Sequence, residues 1–63
     1  MILDTVEARF VEAGDFVIIY DEEASVKNVS DDGQEIVIVW IDSFDDERTS
    51  AFDPYTELEI WGN

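Results

Sequence analysis

The chain reads as all-β, a single small barrel of five short antiparallel strands wound as a meander. Three observations predict it. Residues 15–20 and 35–41 are two runs dense in β-branched and aromatic side chains, each bounded by turn formers. Between them stands an Asp32-Gly33 pair, which supplies the positive φ that a hairpin needs. Apolar residues also occupy both faces of these runs, more than a flat sheet with one wet face can hold, so the meander is expected to curl.

In chain order, residues 5–10 are ambiguous between an edge strand and a helical turn, because apolar side chains recur there at both spacings. A short strand as an N-terminal extension, followed by a turn at Ala13-Gly14, is preferred. Residues 15–20 form the first secure strand, 24–29 the second and 35–41 the third, with 30–34 as the tight turn between the last two. Beyond an acidic loop at 42–47, residues 48–52 pair back as a fourth strand. Asp53-Pro54 stops it, since proline donates no ladder hydrogen bond. Residues 56–61 alternate polar and apolar and close the barrel as the fifth.

Alternation puts Val17, Ile19, Ala24, Val26, Val29, Ile36, Ile38, Trp40, Phe52, Leu58 and Ile60 in the interior. Phe16, Ile18, Val37, Val39, Ile41 and Trp61, with Tyr20, then fall on the other side. Single exposed apolar residues are ordinary there, but a contiguous set is not. Either the N-terminal segment covers that face with Ile2, Leu3, Val6 and Phe10, or another chain does, which makes it a candidate oligomer or partner surface.

Sixty-three residues allow one domain, 1–63, and leave little core to offset chain entropy. There is no Cys and no His, so disulfides, thiolate and imidazole zinc sites, and the Ser-His-Asp and Cys-His nucleophiles are closed to it. Paired carboxylates would still need a substrate cleft that so small a filled barrel lacks, and no enzyme activity is expected. Gly14, Gly33 and Gly62 stand too far apart for a phosphate loop, and the acids at 42, 45, 46 and 47 lack the glycine and register of a calcium loop. No cofactor or metal is expected.

Seventeen acidic residues against Arg9, Lys27 and Arg48 give a net charge of −14. Phosphate backbones and anionic membranes are repelled by such a surface, so the expected partner is a protein with a basic or mixed surface. The plainer reading is that the charge keeps the protein soluble. With 46% hydrophobic residues the chain is too apolar to remain disordered. It has no apolar run of membrane-spanning length and no basic, apolar leader at its start, so a cytoplasmic protein is expected.

Ala13-Gly14-Asp15-Phe16-Val17-Ile18, Ala24-Ser25-Val26, Asp32-Gly33, Ile36-Val37-Ile38-Val39-Trp40, Phe52 and Leu58-Glu59-Ile60 resemble the SH3-like small-barrel group that includes Tudor and KOW domains. The same pattern is similar to short uncharacterised proteins of actinobacterial phages, which would place the protein in a host cytoplasm. These motifs specify a fold and leave the ligand open. The missing Lys and Arg argue against the RNA role of KOW domains.

Two sites follow. In Tudor-like barrels the ligand cage is built from the loops that here carry Tyr20, Trp40 and Phe44, and rings flanked by Asp21, Asp42 and Asp45 would attract an Arg or Lys side chain. The simpler reading, Trp40 as core and Phe44 as a loop anchor, stands ahead of it. Alternatively, Asp21, Glu22, Glu23, Asp31, Asp32, Asp42, Asp45, Asp46 and Glu47 act as phosphate surrogates, making the protein a DNA mimic that blocks a host nucleic-acid-binding protein. The leading expectation is a non-enzymatic protein-interaction module, with self-association through the apolar strand face as a further option.

Overall fold

The computed structural model describes the backbone of residues 2–62 and the side chains of residues 3–61. Strand β1 (Ile2–Glu7) leads into a single 3-10 turn, η1 (Ala8–Phe10), and then into β2 (Phe16–Ile19), β3 (Glu22–Asp31), β4 (Ile36–Ile41), β5 (Glu47–Phe52) and β6 (Glu57–Gly62). They form one antiparallel sheet of six strands in the order β1-β6-β2-β3-β4-β5. Strands β2 to β5 are the expected meander, and β6 crosses back to lie beside β2.

The strand number and the closure differ from expectation. The sheet has six strands rather than five, and it is open, with β1 and β5 as its two edges. The extra strand forms because β6, paired to β2 on one side, leaves its other edge free. Ile2–Glu7 takes it in the register Leu3↔Trp61, Thr5↔Glu59, Glu7↔Glu57. Residues 5–10 therefore satisfy both halves of their ambiguity, strand to Glu7 and helical turn from Ala8. The change is anchored where Ala8 N donates to Thr56 O (2.8 Å) and Arg9 N to Pro54 O (3.1 Å).

The core is built from alternate residues, as period-2 patterning requires. Val17, Ile19, Ala24, Val26, Ile36, Ile38, Trp40 and Leu58 are buried, with Val6, Val29, Phe52 and Ile60 packed against them. Ala8 and Val11 are core residues that alternation did not identify, because they belong to the turn that follows β1. Val26 and Val29 both face inward although three residues apart. A bulge between Val26 and Asn28 supplies the extra residue that restores the alternation.

The hairpins use different chemistry. Between β3 and β4, Gly33 sits at φ 95°, and the Asp31 and Asp32 carboxylates accept the amides of Gly33, Gln34 and Glu35 at 2.7–2.8 Å. Between β2 and β3, Ile19 pairs Glu22 across Tyr20 (φ 52°) and Asp21 (φ 64°), a tight turn with both central residues left-handed and neither a glycine. No described helix is long and apolar enough to cross a membrane.

Candidate partner-binding face

The loop end of the sheet does not assemble the expected cage. Trp40 corrects it most directly: the ring is fully buried, its Nε1 donates to Ser50 Oγ (3.1 Å), and the cation over it is the chain's own Arg48, 4.9 Å from the ring centroid. Trp40 lies on the inward side of β4, in line with Ile36 and Ile38, so the alternation that makes it core denies it to a partner. Tyr20 is exposed and tilts against Phe52, with centroids 6.1 Å apart. Phe44 projects into solvent, 79% exposed.

The three acids also separate. Asp42 is nearly buried and works on its own loop: Oδ1 accepts the amides of Phe44 (2.9 Å) and Asp46 (3.0 Å), while Oδ2 lies 3.6 Å from Arg48. The Asp46 amide above all, then the Phe44 amide and the Arg48 charge, hold its carboxyl below the usual range. Asp45 is exposed and left-handed at φ 65°, and Asp21 is exposed at the hairpin tip. Asp32 is lowered likewise, first by the Glu35 amide and then by that of Gln34.

The opposite side of the sheet carries the second candidate set. Phe16 is 58% exposed, and Ile18, Val37, Val39, Ile41 and Trp61 are half-buried. Of the two alternatives, cover by the N-terminal segment is not seen among the described residues: β1 extends the sheet edge-on beside β6, and Leu3 and Phe10 are themselves exposed. The side chain of Ile2 lies outside the described residues. Trp61 Nε1 is buried and has no hydrogen-bond partner among the described residues.

Register shows how this face is arranged. Val37, Val39 and Ile41 form a column on β4, flanked on β3 by Ser30, Asn28 and Ser25 and on β5 by Ala51, Thr49 and Glu47. Phe16, Ile18 and Trp61 form a second group on β2 and β6. The polar column of β3 keeps the two apart except along one row, Phe16↔Ser25↔Ile41, where the intervening side chain is a serine. There a shallow groove of about 170 Å³ opens, lined by Phe16, Glu23, Ala24, Ser25, Ile41, Asp42 and Ser43. Glu23, Ser25 and Ser43 were not legible as lining residues, because nothing in the local sequence marks a small residue between two apolar columns.

The chain's three cations are engaged elsewhere. Lys27 reaches across β4 to Glu47 (2.6 Å), which raises its pKa. Arg48 bonds Glu22 (2.8 Å). Arg9 bonds Glu7 (2.7 Å) and lies between the rings of Phe10 and Tyr55, 4.4 and 4.8 Å from their centroids. Among the described residues no group of three or more acids is placed to hold a metal ion. Comparison with protein-family models, with curated proteins and with solved structures returns no match.

Proposed function

We propose that the protein is a non-enzymatic interaction module that receives a basic or mixed protein surface on the outer face of β2, β4 and β6. The observation that carries this reading is an apolar face on which Phe16 is exposed and Ile18, Val37, Val39, Ile41 and Trp61 are only half-buried, on a molecule of net charge −14. Apolar contact supplies the short-range term, and the surrounding charge selects a cationic partner and speeds encounter. A second copy would bring another −14 to the interface, so charge favours a basic partner over self-association.

The architecture belongs to the same reading, as an SH3-like fold of the Tudor and KOW type whose sheet is left open and carries one added edge strand. Its support is the four-strand meander β2–β5 together with the return of β6 to the first meander strand.

The test is titration with a peptide of alternating Leu and Arg, followed by backbone amide shifts. Shifts should concentrate on β2, β4 and β6. The double variant Val37→Ser, Val39→Ser should weaken binding by about tenfold, and added salt should weaken it without abolishing it. Binding that both proteins share equally and that moderate salt removes would overturn the reading in favour of the acidic loops as nucleic-acid mimics. A protein that sediments as a dimer through this face would replace the basic partner with a second copy.

A further inference from the structure

The groove at the Phe16↔Ser25↔Ile41 row differs from the rest of the outer face in chemistry. Its walls are the exposed Phe16 ring and Ile41, and Ala24, which is 1% exposed, lines it as well. Glu23, Ser25, Asp42 and Ser43 line it too, and of the two acids only Glu23 is exposed. Drug-sized pockets run from about 300 to 1,000 Å³, whereas this one measures about 170 Å³ and suits a single side chain.

Apolar walls beside an exposed carboxylate select an occupant with a hydrocarbon stem and a cationic head. Of the two acids, Asp42 is committed to its loop amides and lies 3.6 Å from Arg48, while Glu23 is exposed and forms no ion pair among the described residues, which leaves Glu23 to meet a cation. Among the described residues no cation fills the place. Lys27 is drawn to Glu47, and Arg48 to Glu22.

We propose that this groove is the anchor position of the outer face, taking one arginine or lysine side chain of the partner, its stem along Phe16 and Ile41 and its head at Glu23. The inference rests on the proposed function and adds to it the chemistry of one residue of the partner. It also moves the cation site away from Tyr20, Trp40 and Phe44, onto the strands.

The probes are N-acetyl-arginine amide and N-acetyl-lysine amide, with the neutral N-acetyl-citrulline amide as control, each titrated into the full chain while amide shifts are followed. The cationic compounds should perturb Phe16, Ser25, Ile41 and Ser43, and citrulline should bind several-fold more weakly. Phe16→Ala and Glu23→Gln should each raise Kd about two- to fivefold, the range for losing part of an apolar stem contact and for an exposed ion pair. Phe16→Leu, which keeps the apolar volume and removes the ring, guards against a folding defect in the alanine variant. Citrulline binding equal to arginine, or shifts that avoid the groove, would overturn the anchor while the Leu-Arg peptide on the outer face still upheld the module. If neither the amino-acid amides nor the peptide perturbs the outer face, both conclusions fall.

Discussion

Strand β4 presents similar residues to two different environments. Ile36, Ile38 and Trp40 on one side are 2%, 0% and 0% exposed, whereas Val37, Val39 and Ile41 on the other are only half-buried. Hydrophobicity does not separate them; their neighbours do. Inward, Trp40 stands between Val26 and Arg48, Ile38 between Val29 and Ser50, and Ile36 between Asp31 and Phe52. Outward, Val37, Val39 and Ile41 stand between Ser30, Asn28 and Ser25 on one strand and Ala51, Thr49 and Glu47 on the other. Polar partners flank both sides, so what separates them is the layer behind: Ala8, Val11, Val17, Ile19 and Leu58 join the inward residues in one core. The same strand can therefore seal a core and offer a surface.

The largest test of this contrast is truncation on each side. Trp40→Ala should cost about 3–5 kcal/mol, comparable to the whole stability that a core of this size supplies, and should unfold the chain at room temperature. Val39→Ser should cost less than about 1.5 kcal/mol and leave the fold intact in urea titrations followed by circular dichroism. Equal costs would mean that the outer face is covered after all.

A finer version exchanges the two tryptophans separately. Trp40→Phe strands the Ser50 hydroxyl and leaves space in the core, at a cost of about 1–3 kcal/mol. Trp61→Phe removes a buried N–H that has no partner among the described residues, so its melting temperature should stay level or rise. A clear loss of stability in Trp61→Phe would show that the indole nitrogen does find an acceptor.

The hairpin tip belongs to neither face and serves as a control. Asp21→Gly relieves a left-handed residue and should add up to about 1 kcal/mol, with peptide binding on the outer face unchanged. Altered binding would bring the tip into the interface.

Smaller effects come from charge. Melting should rise from low to moderate salt, because like charges such as the facing Glu7 and Glu57 are screened over about 10 Å at 0.1 M. A flat or falling melting temperature would show that the acids are individually compensated. Asp42 acts in the opposite sense. Its folded pKa is lowered, so its contribution is fully present above the unfolded value, about pH 4, and is lost as pH falls through the folded one. Asp42→Asn should be less stable than the parent at neutral pH, and that gap should narrow in acid below about pH 4. A gap independent of pH would assign Asp42 a packing role alone.

Sequence by itself determined the β class, the five strands from 15–20 to 56–61 to within a few residues, the inward set from Val17 to Ile60, the breadth of apolar side chains on the second face, and the net charge. These are readable because strand period, turn residues and net charge are local or summed properties of the chain. Tertiary structure alone decided the rest. The N-terminal strand, expected within residues 5–10, runs over Ile2–Glu7 because it pairs with the free edge of β6, and the bulge at Val26 and Asn28 was settled by pairing with β4. The groove arose because Ser25 lies between Phe16 and Ile41 on neighbouring strands. Alternation assigns each residue a side of the sheet, but which residues become its neighbours depends on register between strands distant in sequence, and no local pattern carries that information.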